Sequence, residues 1–390
     1  MDSFNDWRPP AATEQWIRLD TEKSLHTARD GGHNRWHPDI TPLAHVAPGE
    51  LIALDVRDAS DAQVLGPGEF DVEASTNLDL IHPLTGPIYV DGAEIGDLLE
   101  VEIVDIVPDE WGWSSIFPGG GGVMQHHVLT PFGFKWHLEN GFATSSQLPG
   151  ASIPAHPFIG VLGVAPSAER HAAMLARERQ VVADGGETPQ PSHRFAYPDS
   201  ENVVNSGLRT NPARETGGNF DTKDLTAGTR FIVPVDVPGA LLSLGDVHMA
   251  QGDGESFGTA IETRAKILLR CHVMKAKSLR WTPRFPVIKI DKPVPGRHRG
   301  PTLMTTGLAY NDDDRISFQN VTLATQNALT QMVEYLVHVH DMSRAEALGL
   351  SSLVVDIRVS VIVNPPTPVV SAVLPLDVLG GLAGNWTLPG

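Results

Sequence analysis

Apolar and polar residues alternate with a period of two along the longest patterned stretches of this chain. In residues 353–363 every second residue is apolar, and the residues between them include Asp356 and Arg358. Residues 261–273 alternate in the same way, and Cys271 lies on their apolar side. Because successive side chains of a strand point to opposite faces, both patterns predict long antiparallel strands with one solvated face.

A turn followed by a strand recurs three times. Residues 48–59 read PGELIALDVRDA and align with IGDLLEVEIVDI at 95–106, an offset of 47 residues. Residues 227–238 keep only the glycine and the alternation. One interpretation is a repeated turn-strand unit of a barrel or sandwich; the other is a duplicated site.

Helical periodicity occurs in few places. Residues 167–180 have helix-forming composition after Ser167, a possible N-cap. Residues 319–340 place apolar residues at three- and four-residue spacing, which predicts an amphipathic helix near the C-terminus. A capping box at 343–346 predicts a short further helix. The predicted fold class is therefore mainly β (α+β), an antiparallel barrel- or sandwich-like body with a few helices.

Polar and turn-forming residues interrupt these patterns near the middle of the chain. We expect an N-terminal β-rich part at 1–183 and a surface excursion at 184–216. A C-terminal β-rich part with helices, at 217–390, would carry the main site. The alternative is that both β-rich parts form one interleaved body.

The charge balance disfavours two classes of partner. The chain has 29 Lys and Arg against 47 Asp and Glu, a net charge of −18. Such a surface repels phosphate backbones and anionic lipids, so we expect neither nucleic-acid nor membrane binding. The start lacks the basic and apolar regions of a signal peptide, which favours a cytoplasmic location. The single cysteine excludes an intramolecular disulfide and a Cys-based zinc finger.

Candidate ligands concentrate in residues 217–262. Asp246 and His248 are two residues apart, so on a strand their side chains share a face and can reach one metal ion. The glycine-flanked turn that follows would return Glu255 to their side. Metal-assisted hydrolysis requires such a set, in which an ion acidifies a water and a spare carboxylate takes its proton.

Upstream, Asn219 and Asp221 share a face at a second glycine-initiated strand start. Asn219 and nearby backbone N–H groups could stabilise an oxyanion. The alternative interpretation of the whole region is ordinary hairpin-turn chemistry with solvated carboxylates. His156, between prolines before an apolar run, is either a ligand or oriented acid, or a capping or core histidine. His82, before a turn, is a weaker candidate.

Several blocks in this order resemble the acetamidase/formamidase family. The blocks are LTGPIYVDGAEIGDLLEVEIVDI (84–106), His156 with PFIGVLGVAPS (157–167), GGNFD (217–221) and GDVHMAQGDGE (245–255), followed by the amphipathic helix, the strand near 353–363 and a late LPLDVL. The resemblance implies a β-rich fold, hydrolysis of short aliphatic amides to a carboxylic acid and ammonia, homo-oligomers, and a metal that is commonly zinc. The matching polar positions are Asp221, Asp246, His248 and Glu255, with Asn219 and His156 near them.

Two segments depart from the pattern of the family, at 119–141 and at 184–216. If they line the pocket, the substrate is larger or more apolar than formamide. Five aromatic residues would suit such a pocket: Trp111, Trp113, Phe132, Phe134 and Trp136. The alternative is that they form a cluster in the core.

The sequence as a whole predicts an amidohydrolase that acts on a linear carboxamide. Asp221, Asp246 and His248 would hold a divalent ion, zinc or alternatively calcium or another metal. Glu255 would act as general base, Asn219 would orient the carbonyl, and His156 would assist as acid or extra ligand. The alternatives are a metal-dependent isomerase or lyase on a β scaffold, and a non-catalytic module that binds a small molecule.

Overall fold

The structure of the chain is a computed structural model that describes residues 4–66, 77–116, 131–148, 153–255, 258–291, 301–342, 347, 355–376 and 379. The capping box at 343–346 and residues 119–130 of the segment that departs from the family pattern lie outside these residues.

Strands make up most of the regular structure in the described residues. They are β1 (Thr13–Ile17), β2 (Arg35–Trp36), β3 (Ala44–Val46), β4 (Leu51–Val56), β5 (Leu84–Val90), β6 (Leu98–Pro108), β7 (Trp111–Ile116), β8 (Phe132–Glu139), β9 (Phe142–Thr144), β10 (Ile153–Pro154), β11 (Phe158–Val164), β12 (Leu208–Arg209), β13 (Gly217–Asn219), β14 (Thr229–Pro234), β15 (Leu242–His248), β16 (Glu262–Thr263), β17 (Ala265–Met274), β18 (Val287–Ile290), β19 (Thr302–Gly307), β20 (Asp356–Val361) and β21 (Val369–Pro375).

Helices are fewer. They are α1 (Leu25–Ala28), α2 (Ala168–Ala183), α3 (Glu201–Ser206), α4 (Val321–His340) and a short 3-10 helix at Ala276–Ser278. The predictions for α2 and α4 are confirmed: the Ser167 side chain caps α2 by accepting from the Arg170 backbone N–H, and α4 buries the predicted apolar face, which includes Ala324 and Met332. None of the helices in the described residues is long and apolar enough to span a bilayer.

Two large sheets form the body. The first sheet has the strand order β1-β4-β17-β6-β14-β18-β19-β21-β20. The second has the order β10-β9-β8-β7-β16-β15-β11-β13, and β5, which pairs with β3, also pairs with β15. Both orders are open rather than cyclic. Of the two predicted forms, the structure therefore has the sandwich-like one and not a closed barrel.

The main core lies between the two sheets. It combines Leu54, Val101 and Ile267 of the first sheet with Leu162 and Leu244 of the second, all of them fully buried. A second cluster packs α4 against β19 and β21 of the first sheet. Burial of apolar faces in this way supplies most of the free energy that holds such layers together.

The first sheet interleaves distant parts of the chain. Strand β17 pairs on one side with β4 and on the other with β6, so a strand from beyond residue 216 separates two from before residue 184. The predicted strand at 261–273 is in fact two strands. Glu262–Thr263 belongs to the second sheet, and Ala265–Met274 belongs to the first. A chain that crosses between sheets at Arg264 keeps its alternation, which explains why the pattern predicted one strand.

The three repeated segments are turn-strand units of the first sheet. Gly49, Gly96 and Gly228 precede β4, β6 and β14, and their φ angles are +91°, +91° and +88°. Each glycine donates its backbone N–H to a neighbouring part of the sheet: to Cys271, Val235 and Ile103 respectively. A positive φ is costly for residues with a Cβ atom, so the repeat preserves a turn geometry.

We predict that Gly96→Ala lowers the free energy of unfolding by about 1–2 kcal/mol, because alanine is disfavoured in the left-handed region. Space is not the cause, since the nearest atom to an added Cβ is 3.9 Å away. Urea denaturation measures the effect. Gly96→Asn is the matched control and should cost less, because asparagine tolerates this region better. Equal losses for both variants would contradict the explanation.

Candidate active site

A buried cluster of ionisable side chains lies at the end of β15. Its members are Asp221, Asp246, His248, Glu255 and Glu262, and His82 lies beside them. Ligand atoms of Asp221, Asp246 and His248 all lie within 4.8 Å of one another, and the same holds for His248, Glu255 and Glu262. His248 is thus common to both groups and stands at the centre of the cluster.

Two neighbouring strands position three of the five members of this cluster. Strand β15 carries Asp246 and His248, and His248 Nε2 lies 3.4 Å from Asp246 Oδ1. His248 pairs with Glu262 of β16 in the antiparallel ladder, so their side chains occupy the same face. Glu262 Oε2 lies 3.2 Å from His248 Nε2. Because both strands are interior to the second sheet, this part of the site is rigid.

The other two carboxylates come from the ends of turns. Asp221 follows β13, and its Oδ1 lies 3.9 Å from His248 Nε2. Asp221, Asp246 and Glu255 have φ angles of +41°, +58° and +49°, in the left-handed region. Backbone strain of this kind persists only where surrounding contacts enforce it, and it concentrates at functional sites.

Polar contacts hold the Asp221 turn against the turn before Glu255. The Gln251 side-chain amide donates to the Asp221 carbonyl at 2.8 Å. Arg358 of β20 binds both Asp224 and Asp253, and so connects the two turns. Two segments about thirty residues apart in sequence therefore meet at one point in space.

The same glutamine determines how His248 is oriented. Its NH₂ group faces the Asp221 carbonyl, so its Oε1 must face His248 Nδ1, at 2.9 Å. Nδ1 is therefore the protonated donor, and Nε2 is directed at the three carboxylates around it. Outer contacts of this kind fix the tautomer of metal-binding histidines in other proteins.

Gly160 of β11 makes room for two of the carboxylates. A Cβ atom added there would lie 2.6 Å from Asp221 Oδ1 and 2.8 Å from Asp246 Oδ2. The Gly160 carbonyl also accepts the backbone N–H groups of Phe220 and Asp221. The absence of a side chain at this position therefore permits Asp221 and Asp246 to approach each other.

Crowding of charge in a dry site shifts the pKa of each group. Burial raises the pKa of Asp221 and Glu262 to about 7 and that of Glu255 well above its usual range, and the neighbouring carboxylates act in the same direction. Against the effect of burial, the imidazoles of His82 and His248 lower the pKa of Asp246 to about 2.

The pKa of His248 rises well above its usual value, because Glu262 and Asp246 outweigh the effect of burial. Without a further cation, part of the cluster must therefore remain protonated at neutral pH.

The residues present fit a divalent cation. Buried oxygens of Asp221, Glu255 and Glu262 have no hydrogen-bond partner in the described structure. Burial of such groups without a partner is costly. Carboxylate oxygens and an imidazole nitrogen are ligands that zinc and related transition metals accept. A cation would supply the missing positive charge and displace the protons that the crowded carboxyl groups otherwise hold.

Asp246, Glu255 and Glu262 of the cluster form the floor of a cavity of about 310 Å³, while Asp221 and His248 are not among its lining residues. Asn219, His82 and Asn364 complete the polar floor, and Asn364 donates to Asp221 Oδ2. The walls are more apolar and include Ile81, Trp113 and Val363. Glu187, Pro189 and Asn211 also line the cavity, so the 184–216 segment contributes to it.

Comparison with known proteins identifies the family. The family model described as "Acetamidase/Formamidase family" matches residues 18–380. The chain belongs to the acetamidase/formamidase family. It is 32% identical to an acetamidase of Mycolicibacterium smegmatis over 350 residues, which cover 82% of this chain and 84% of the relative. It is 27% identical to a formamidase of Methylophilus methylotrophus, covering 93% of each chain.

A solved structure supports the same assignment. The crystal structure of an acetamidase from Bacillus halodurans superposes with a TM-score of 0.70 at 27% identity, covering 90% of this chain and 98% of that one. The predicted family and the mainly β fold are confirmed.

The structure brings together most of the residues that the sequence singled out. Asp221, Asp246, His248 and Glu255 meet in the cluster, and Asn219 lines the cavity with a buried, unpaired Oδ1. His156 lies apart from these groups. It is half-buried, is not among the residues that line the cavity, and its Nε2 binds the Lys223 carbonyl at 3.0 Å.

Sequence reasoning missed Glu262 and Asn364 and gave His82 little weight. Glu262 belonged to the supposed solvated face of a long strand, and only the crossing between sheets turns it toward His248. Asn364 follows β20 before two prolines, with no pattern that suggests a site. His82 Nε2 lies 3.9 Å from Asp246 Oδ2 because a distant segment packs against β15.

Residues 254–258 read Gly-Glu-Ser-Phe-Gly, the spacing of a serine nucleophile elbow. Such an elbow requires a strand, a sharp turn and a helix. The next regular element after Gly258 is strand β16, so the helical half of that context is not found in the described residues. Ser256 itself lies outside those residues.

We predict that Gly160→Ala weakens Zn²⁺ binding at least tenfold, since the added methyl collides with Asp221 and Asp246. Competition of the purified protein with a chromophoric chelator measures the affinity. Gly252→Ala is the matched control, because an added Cβ there meets nothing within 4 Å. Unchanged affinity in Gly160→Ala, with a normal melting temperature, would show that these two carboxylates do not bind the metal.

Proposed function

We propose that this protein hydrolyses a linear carboxamide to a carboxylate and ammonia by attack of a water molecule. The observation that carries the proposal is the position of Glu255. Its carboxyl group is buried and faces the cavity, with an unpaired oxygen, beside the group formed by Asp221, Asp246 and His248. This is the arrangement that general-base hydrolysis at a metal centre requires.

Asp221, Asp246 and His248 are the residues we propose as ligands of a divalent ion, with Zn²⁺ as the first candidate. Glu262 is available to the same ion through its Oε2, which lies 3.2 Å from His248 Nε2. When bound, such an ion polarises a carbonyl group and acidifies a water molecule. Positive charge held beside Glu255 would favour the carboxylate form of this residue, which is the form that a general base requires.

The polar floor of the cavity suits the NH₂ group of an amide. Asn219 Oδ1 and Glu255 Oε2 are buried acceptors without a partner, and an amide NH₂ group offers two donors. The carboxylate product has no N–H group to offer these acceptors, so they favour the amide over the acid that the reaction produces.

Each proton has a defined donor and acceptor in this scheme. Glu255 takes a proton from water while the water oxygen forms a bond to the carbonyl carbon. The C–N bond then breaks, and Glu255 returns the proton to nitrogen, which leaves as ammonia. Asn219 and nearby backbone N–H groups orient the carbonyl. His156 stays a proposed assisting acid or extra ligand, and either role requires its Nε2 to leave the Lys223 carbonyl.

Turnover discriminates this function from the alternatives. A metal-dependent isomerase or lyase, or a binding module without catalysis, would release no ammonia from amides. A serine nucleophile at Ser256 would form an acyl-enzyme, whose added mass is detectable in the intact protein under turnover. Water attack predicts ammonia release with no such species.

We predict that Glu255→Gln lowers kcat for amide hydrolysis by about 10²–10⁴-fold, the usual contribution of a general base. Ammonia release from a panel of linear amides, from formamide to phenylacetamide, is the measurement, before and after removal of metal by a chelator. Chelation should abolish turnover and added Zn²⁺ should restore it.

Glu94→Gln provides the matched control, since this exposed carboxylate contacts Lys275 and does not line the cavity. We expect its kcat to stay within about threefold of the unmodified protein. Full activity of Glu255→Gln would exclude the proposed base, and full activity of metal-free protein would exclude the metal. A homo-oligomeric assembly and a cytoplasmic location stay predictions.

A further inference from the structure

We propose, on the basis of the amide hydrolase function above, that this site takes amides with a large apolar acyl group, up to an arylalkyl group. In this proposal Trp113 forms the wall against which the acyl group packs, and Asp58 positions Trp113. Formamide and acetamide would then be poor substrates, because neither reaches that wall.

The size of the cavity is the first support. A cavity of about 150 Å³ is enough to bind benzene in an engineered protein. The cavity here is about 310 Å³, so it has room for an aromatic ring in addition to the amide. Formamide carries only a hydrogen atom on its carbonyl carbon, and acetamide only a methyl group.

The distribution of polarity is the second support. The ionisable groups that line the cavity, apart from Glu187, are collected at its floor, where the reacting amide must lie. The remaining lining combines an apolar group, Ile81, Trp113, Val363 and Pro365, with the uncharged polar residues Ser60, Ser115, Asn211 and Thr259. A substrate that buries apolar surface against these side chains gains free energy that a small amide cannot.

The ladder of the second sheet places Trp113 directly beside the reaction centre. Trp113 of β7 pairs with Glu262 of β16, so the indole and the carboxylate lie side by side on one face. An acyl chain that leaves the carbonyl carbon at the floor therefore reaches the indole within a short distance. Trp113 is the member of the predicted aromatic set that lines the cavity; Trp136 instead packs in a separate core cluster.

Asp58 fixes the indole in this position. Its Oδ2 accepts the Trp113 Nε1–H at 3.0 Å and the Ser60 backbone N–H at 3.0 Å, and its Oδ1 accepts from the Ala62 backbone. Asp58 is buried, so this contact is shielded from water. The same carboxylate thus holds both Trp113 and the turn that contributes Ala59 and Ser60 to the cavity.

The test is a series of amides of increasing acyl size: formamide, acetamide, propionamide, butyramide and phenylacetamide. We expect kcat/KM to rise about fourfold for each buried methylene. Phenylacetamide should exceed acetamide at least tenfold. The inference is overturned if formamide and acetamide are hydrolysed and kcat/KM falls with acyl size. If no amide releases ammonia, the proposed function fails, and the inference fails with it.

Variants then test the role of the wall. Trp113→Ala should lower the ratio of kcat/KM for phenylacetamide to that for acetamide at least tenfold, and Asp58→Asn should lower it less. Phe142→Ala, at an exposed aromatic residue of β9 away from the cavity, should leave the ratio unchanged. An unchanged ratio in Trp113→Ala contradicts the proposal.

Ala59→Leu keeps the test decisive if Trp113→Ala does not fold. It adds bulk to the cavity wall without removing a buried ring, and the melting temperature of each variant confirms folding. We expect it to raise KM for phenylacetamide more than for acetamide. Equal changes for both substrates would show that the acyl group does not occupy this space.

Discussion

The site depends on the concentration of four carboxyl groups around one imidazole in a place that water hardly reaches. Asp221, Asp246, Glu255 and Glu262 surround His248, and all five side chains are buried. Like charges at these separations raise one another's pKa, so the cluster in isolation holds protons that it would lose in water. A divalent cation held by these residues would relieve this conflict, because its positive charge would offset the repulsion among the carboxylates.

The fold holds these like-charged groups together against their mutual repulsion. Asp246, His248 and Glu262 are held by strands inside a sheet, while Asp221 and Glu255 are held by turns. Those turns are joined by Gln251 and by Arg358, which bridges Asp224 and Asp253. The positive φ angles at Asp221, Asp246 and Glu255 show that the surroundings, rather than local preference, determine where these side chains point.

The charged floor and the apolar wall of the cavity adjoin where β7 pairs with β16. Glu262 extends the charged floor, and Trp113, opposite it in the ladder, begins the apolar wall. In the proposed binding mode, the reacting group of an amide lies among fixed charges and its acyl group packs against the indole. The floor would then stabilise developing charge, while the wall would contribute binding energy.

The sequence by itself determined the elements whose signals are local. Period-two alternation predicted β17, apolar residues at three- and four-residue spacing predicted α4, and the glycines at 49, 96 and 228 indicated turns. Each of these signals depends only on residues close together in the chain. The Asp246–His248 spacing belongs to the same class. The tertiary structure decided the rest.

The alternation of apolar and polar residues continues through Arg264, although the chain crosses from one sheet to the other there. The pattern therefore placed Glu262 on a solvated face, whereas in the structure it faces His248. His82 and Asn364 reach the cluster only through packing of distant segments. Such contacts produce no periodic pattern in the sequence, because the packing of the two sheets decides which side chains come into contact.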